Sequence, residues 1–241
     1  MPRAGTPQPR RPHRHRPGPD GHPDRRPLST QVYRWALLAL LCCGPATAAP
    51  ADSNKVILFF GDSLTAGYGL DPDQAFPALI QDRLDSLGWY FQAVNAGLSG
   101  ETSAAGLRRI NWVLRRRVDV LVLGLGANDG LRGVPPSETE RNLQGILEAV
   151  KKRYPEAALV LAGMRLPPNL GPEYTAQFEG LFPRLAQRHG AALIPFLLEG
   201  VGGVPELNQA DGIHPTAEGY RHVAATVWKT LEPVLRQRRG N

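Results

Sequence analysis

Ser63, Asp211 and His214 are the side chains of this sequence whose types and setting suit nucleophilic chemistry. Ser63 stands in "GDSL", residues 61–64, and the other two stand in "DGIHP", residues 211–215. A serine hydroxyl is a weak nucleophile until a neighbouring base takes its proton. An imidazole serving as that base has to be oriented, commonly by a carboxylate on its other nitrogen. Asp211, three residues before His214, suits that task within one turn. Read alone, the same Asp-x-x-His is an N-cap beside a surface histidine, just as Asp62-Ser63 alone is a capping pair.

Attack on a carbonyl also needs donors for the oxyanion that develops. The backbone N–H of Ser63 is the first candidate. Gly97, in "NAGLSG" (95–100), is the second, because a glycine lets backbone approach a substrate closely. The Asn128 side-chain amide, in "GAND" (126–129), is the third. Gly97 as a turn residue and Asn128 as an Asx-turn are the plainer readings. Asn95 and Asp129 are expected to brace these loops. His189, at a helix end before Gly190, and His222, on the last helix, are expected to be structural.

These groups need mounts. Apolar runs at 56–60, 91–95, 118–125, 158–163 and 191–196 read as strands. Amphipathic stretches at 75–87, 102–117, 136–153, 172–189 and 216–236 read as the helices that follow them. Gly88, Pro155 and Gly190 stop three of the helices. Strict β-α alternation argues a parallel sheet with helices on both faces. Ligands of such sheets sit beyond the carboxyl ends of the strands, which is where the polar segments fall.

The first 49 residues read differently. Residues 1–27 are rich in Arg, Pro and His and have no apolar periodicity. Arg34 then precedes an apolar stretch at 35–43, a Gly-Pro break and Ala46-Thr47-Ala48, the layout of a cleaved secretory signal. The expected organisation is a leader at 1–49, with translation starting near Val32 and cleavage near Ala48 or Ala49, and one domain at 50–241. A lipid anchor on Cys42 or Cys43 is the alternative. The apolar stretch is short of the roughly 20 residues a spanning helix needs, so no stable membrane span is expected.

The leader also carries the charge. Of 28 Lys+Arg and 22 Asp+Glu, residues 1–49 hold eight Arg and two Asp, so the remainder balances at 20 of each. No excess charge is left to attract nucleic acid. Both cysteines lie in the leader, which excludes disulfides, thiolate nucleophiles and Cys-ligated zinc from the remainder.

The four segments, in order and on the expected elements, resemble the SGNH (GDSL) hydrolase family. "VNAGLSGET", "GANDGLRG", "LPPN", "IPFLLEGV" and "DGIHPTAEGY" further resemble its periplasmic arylesterase, acyl-CoA thioesterase I and lysophospholipase branch. The resemblance implies a flavodoxin-like α/β fold, a three-layer α/β/α sandwich around a five-stranded parallel sheet. It implies a Ser63–His214–Asp211 triad, an oxyanion hole of Ser63, Gly97 and Asn128, and no cofactor or metal. It also implies a mobile substrate-binding segment at Gly130, Leu131, Arg132 and Gly133. The expected protein is a periplasmic or secreted monomer cleaving small acyl esters and thioesters, without nucleic-acid partners. Phe76, where a Trp is common, and Leu170, where a Tyr is common, are expected to reshape the acyl groove.

Rival chemistries fit less well. The Gly-x-Ser-x-Gly elbow is absent, failing at Thr65 around Ser63, and Ser99 is a reserve nucleophile with no assigned base. Gly-x-Gly-x-x-Gly fails at Asp129. A metal hydrolase would draw on Asp62, Asp129, Asp211 and His214, and a binding module would need none of this chemistry. The basic stretch "LRRINWVLRRR", 107–117, reads as a solvated helix face.

Overall fold

The computed structural model describes residues 54–239; the leader and its processing lie outside the described residues. Five strands form one parallel sheet: β1 Lys55–Gly61, β2 Phe91–Gly97, β3 Val120–Gly124, β4 Ala158–Ala162 and β5 Ala192–Ile194. Their spatial order is β2-β1-β3-β4-β5. The chain steps outward from β1 to β2, then crosses back over β1 to build the rest. The switch point therefore lies between β1 and β3, at the carboxyl end of β1. That end carries Asp62 and Ser63.

The helices are α1 Ser63–Ala66, α2 Phe76–Ser86, α3 Ser103–Val113, α4 Ala127–Leu131, α5 Pro136–Arg153, α6 Pro172–His189 and α7 Ala217–Arg239. Helices α2 and α7 pack together, while α3, α5 and α6 form a second packed group. Ile57, Leu58, Phe59 and Phe60 are fully buried, as a central strand covered on both faces requires. Phe76 packs edge-on against Phe59 at 5.5 Å between ring centroids and lies against Tyr220 of α7. It belongs to the core and does not line the acyl groove. Leu170 packs against the core beside Pro167 and Pro168 and is not itself among the residues lining the groove.

Expected and observed bounds agree at α5 and α6, where Pro occupies the first turn and Tyr154-Pro155 or Gly190 follows the last. Strand β5 stops at Ile194 because Pro195 has no N–H for the ladder. Helix α7 runs three residues past the expected 236.

The carboxyl edge of the sheet is crowded with glycine. Gly61 lies level with Gly97 on one side and Gly124 on the other. A Cβ on Gly61 would meet Thr65 Oγ1 at 2.0 Å, and one on Gly97 would meet Ala66 N at 2.3 Å. The short helix α1 thus folds straight back onto the strand ends, and side-chain-free positions beneath it let Ser63 sit so close to the sheet.

Candidate active site

Ser63 is the first residue of α1, delivered by the strand and held by its neighbours. Asp62, fully buried, caps the helix by accepting from the Leu64 N–H at 3.0 Å. Its other oxygen accepts from Asn128 Nδ2 at 3.3 Å. Burial pushes the Asp62 carboxyl up to about 6, against the opposing pull of the Leu64 N–H, the Asn128 amide and His214.

From the far end of the sequence, the loop before α7 brings His214 to within 2.9 Å of Ser63, Nε2 to Oγ. The other ring nitrogen, Nδ1, lies 2.6 Å from Asp211 Oδ2. Asp211 Oδ1 accepts from the Ile213 and His214 N–H groups, each at 2.9 Å, fixing the turn that carries the ring. The His214 N–H and side chain, followed by the Ile213 N–H, hold the Asp211 carboxyl down at about 2. With Asp211 ionised, Nδ1 carries the imidazole proton and Nε2 is left as acceptor for the Ser63 hydroxyl. Tyr68 lies against the His214 ring at 4.6 Å between centroids. Ser63, Asp211 and His214 therefore converge as expected, and Asp211 caps a turn here rather than a helix.

Gly97 does not join them. Its N–H donates to Asn95 Oδ1 at 2.9 Å, and its close packing against Ala66 serves the fold. Gly100 is the glycine of this segment that borders the pocket. It lines the pocket together with Ser63, Asn128 and His214, at φ 77°, and its N–H donates to no group among the described residues. "NAGLSG" holds both glycines, and only the left-handed turn at Gly100 distinguishes the one that faces the cavity. The Ser63 N–H, at the first position of α1, also lacks an intrahelical acceptor.

Asn128 lies on the pocket wall, its amide donating to Asp62 and, at 3.2 Å, to the Glu101 carbonyl. Glu101 is in turn locked by Arg109, whose Nε donates at 2.7 Å and whose Nη2 reaches the Ala96 carbonyl at 2.8 Å. This brace was not foreseen from the sequence, where Arg109 is one of several arginines. Asn95 and Asp129 do brace loops: Asp129 accepts from the Ser103 N–H at 2.7 Å and from its hydroxyl at 2.5 Å. The Ser99 hydroxyl has no partner among the described residues. His189 ends α6, and His222 is exposed beside Glu218. Among the described residues no group of three or more His, Cys, Asp or Glu is arranged to hold a metal ion.

An apolar groove of about 390 Å³ opens beside Ser63, sharing Leu64, Ala127, Leu131 and Ile213 with the serine pocket and continuing to Met164, Pro168 and Phe196. Of the segment 130–133, Leu131 lines both cavities. Gly130 packs on Leu166, where a Cβ would come within 2.3 Å, and Arg132 Nη2 donates to the Gly100 carbonyl at 3.3 Å. Gly133 takes the left-handed turn that ends the segment, at φ 70°.

This geometry has known counterparts. Residues 59–222 match the family described as GDSL-like Lipase/Acylhydrolase. The chain belongs to that family. It is 41% identical over 201 residues to "Esterase TesA" of Pseudomonas aeruginosa, covering 83% of this chain and 99% of that protein. It is 39% identical over 206 residues to "Thioesterase 1/protease 1/lysophospholipase L1" of Escherichia coli K12, covering 85% of this chain and 95% of the relative. The crystal structure of TesA superposes with a TM-score of 0.71 at 41% identity, over 74% of this chain and 99% of the solved one. The five-stranded parallel α/β architecture is that of this family of acylhydrolases.

Proposed function

We propose that the protein hydrolyses carboxylic esters and thioesters through an acyl-enzyme on Ser63. The observation that carries the reading is the unbroken chain from Ser63 Oγ to His214 Nε2, and from Nδ1 to the Asp211 carboxylate. His214 takes the Ser63 proton as the oxygen attacks the acyl carbonyl. The oxyanion then accepts from the Ser63 and Gly100 N–H groups and from the Asn128 amide, which exchanges its long bond to the Glu101 carbonyl for the developing charge. His214 returns the proton to the departing alcohol or thiol, and the acyl group stays on Ser63. Water, deprotonated by the same imidazole, clears it as a carboxylic acid.

The acyl chain runs in the apolar groove, with Leu131 as the shared wall between chain and reacting carbon. The groove supports substrates with modest acyl chains, in keeping with the esterase and thioesterase names of the relatives. Residues 1–49 act as an export leader, placing a monomeric domain in the periplasm or outside the cell. No described helix is long and apolar enough to cross a membrane.

A panel of p-nitrophenyl esters, acyl-CoAs and lysophospholipids, with Ser63→Ala as blank, tests the reading. Ser63→Ala should remove nearly all turnover and all labelling by a serine-reactive phosphonate. Turnover that survives in that variant and disappears with a chelator would overturn it in favour of a metal hydrolase.

A further inference from the structure

A carbon bonded to Ser63 in the tetrahedral intermediate has three other substituents, and the site accounts for two of them. The oxyanion faces the Ser63 and Gly100 N–H groups and the Asn128 amide. The acyl chain enters the groove past Leu131 and Ile213. The remaining substituent is the leaving group, whose departing atom has to lie beside His214 Nε2 to receive its proton. What borders that direction is a tyrosine. Tyr68 lines the serine pocket and not the acyl groove. Among the described residues it is the one lining side chain that neither enters the groove nor belongs to, or holds, the catalytic groups.

The Tyr68 ring lies against that of His214, with centroids 4.6 Å apart and planes tilted by 41°. The residue is 51% exposed, and its hydroxyl has no partner among the described residues. A single exposed aromatic is ordinary on a protein surface, but this one has a rigid mount. Its N–H donates to the Ser63 carbonyl at 3.1 Å, and its carbonyl accepts from Gln209 Nε2 at 2.8 Å. Gln209 Nε2 also donates to the Pro215 carbonyl at 2.9 Å, and the Gln209 N–H donates to the His214 carbonyl at 2.7 Å. One glutamine thus ties the tyrosine to the turn that carries the imidazole. Gly67 and Gly69, at φ 81° and 82°, fold the chain on either side of it. A Cβ on Gly69 would meet Gln209 Oε1 at 2.3 Å, so the two segments are closely fitted. Ring and imidazole share one frame, as a binding wall requires and a solvated side chain does not.

We propose that Tyr68 sets specificity for the leaving group, favouring flat aromatic alcohols and thiols that lie on its ring as they depart. The proposal rests on the acyl-enzyme reading and deepens it. In the step concerned, the bond from the acyl carbon to oxygen or sulfur breaks and its electron pair goes to the departing atom. The proton taken earlier from Ser63 passes to that atom from His214 Nε2. The departing atom is then beside the imidazole, and an aromatic ring attached to it meets the neighbouring Tyr68 ring. Offset or edge contact between two aromatic rings is worth about five-fold in binding beyond the area it buries. An aliphatic leaving group forms no such pair. The contact is present while the bond breaks, so it raises kcat/KM for acylation. Deacylation, from which the leaving group has gone, is indifferent to it.

The test compares phenyl and hexafluoroisopropyl esters of one acyl group, whose alcohols are of similar acidity, so that the intrinsic reactivity of the leaving group is matched. For the native protein kcat/KM should favour the phenyl ester. Tyr68→Leu keeps an apolar contact with His214 and removes the aromatic face. It should lower the phenyl-to-hexafluoroisopropyl ratio of kcat/KM by about five-fold, and Tyr68→Phe should restore that ratio. The order of preference among acyl chain lengths, read with a series of phenyl esters, should be the same in Tyr68→Leu as in the native protein. Melting of each variant reports that the fold is intact. Equal losses on the two esters would reduce Tyr68 to a support of His214, and a shifted chain-length order would put it in the acyl groove; either result overturns the proposal. The parent reading fails separately. Turnover surviving in Ser63→Ala would remove the acyl-enzyme itself, whereas an unchanged ratio in Tyr68→Leu, with turnover abolished by Ser63→Ala, would remove only the role of Tyr68.

Discussion

Asp211→Asn separates orientation of the imidazole from the stability of the turn that carries it. In the native turn Oδ1 accepts two backbone N–H groups, and Oδ2 faces His214 Nδ1 at 2.6 Å. Asparagine can keep the first oxygen in place, but an NH₂ group then faces Nδ1. To accept from it, the ring must move its proton to Nε2, and the lone pair that receives the Ser63 proton is gone. Flipping the amide would restore Nδ1 as donor, yet it would set the NH₂ against two backbone N–H groups. Loss of those two bonds costs roughly 1 kcal/mol each, so the unproductive tautomer prevails. Tautomer reversal around a buried carboxylate lowers turnover by about 10⁴-fold. Asp211 is 38% exposed, so water screens and partly replaces it, and a loss of about 10³-fold in kcat is expected. Steady-state hydrolysis of a p-nitrophenyl ester at neutral pH, with thermal melting as control, measures it. KM should stay within a few-fold, since Asp211 does not touch the acyl groove. A fully folded variant keeping a tenth or more of native kcat would refute the tautomer argument.

Four further outcomes follow from the site. Asn128→Ala should lower kcat by about 10²-fold with little change in KM; a change confined to KM, read by the same steady-state assay, would contradict an oxyanion role. Gly97→Ala and Gly100→Ala should differ in kind. The first should lower the melting temperature sharply, because its Cβ meets backbone at 2.3 Å, while the second meets only Arg132 Nη2 at an ordinary 3.9 Å and should act on kcat through the strain of an alanine at φ 77°. Acid titration of stability, followed by melting at each pH, should show two opposite windows. Between pH about 4 and 6 stability falls as pH rises, because the folded protein holds the Asp62 proton more tightly than the unfolded chain does; the span from 3.8 to about 6 corresponds to about 3 kcal/mol. Below pH about 4 stability falls as pH drops toward 2, because the Asp211 carboxylate is favoured in the fold and must then be protonated. Asp62→Asn should flatten the first window and leave the second.

The elements that proved legible in the sequence are those with their own internal period or stop. Strand β1 announces itself by five apolar residues, and α5 and α6 by a proline start and a Pro or Gly stop. Helices α1 and α4 do not, because four or five residues are too few for an amphipathic period; α1 is held by its packing on the end of β2, distant in sequence. The same distinction runs through the site. Ser63, Asp211 and His214 are legible because hydroxyl, carboxylate and imidazole have few reasons to share a polar loop. Gly97 and Gly100 are chemically identical, so only a third-dimensional fact, which N–H is already occupied by Asn95, separates them. Arg109 as the keeper of Glu101 was illegible for a similar reason, since its partner choice depends on how α3 leaves β2.

Asp62 shows why such a site is built with a cost inside it. A fully buried carboxylate with its proton affinity raised to about 6 is a poor choice for stability at neutral pH. An apolar residue of similar size would leave the Leu64 N–H without its cap and Asn128 without one of its two acceptors. The amide of Asn128 would then pivot on the Glu101 carbonyl alone. In the proposed reaction both groups that Asp62 holds border the point where the acyl oxygen develops its charge: the helix turn that presents the Ser63 N–H, and the amide on the pocket wall. The destabilising charge therefore sits where it fixes two donors at once. Its removal should stabilise the protein at neutral pH only at the expense of the geometry that stabilises the transition state.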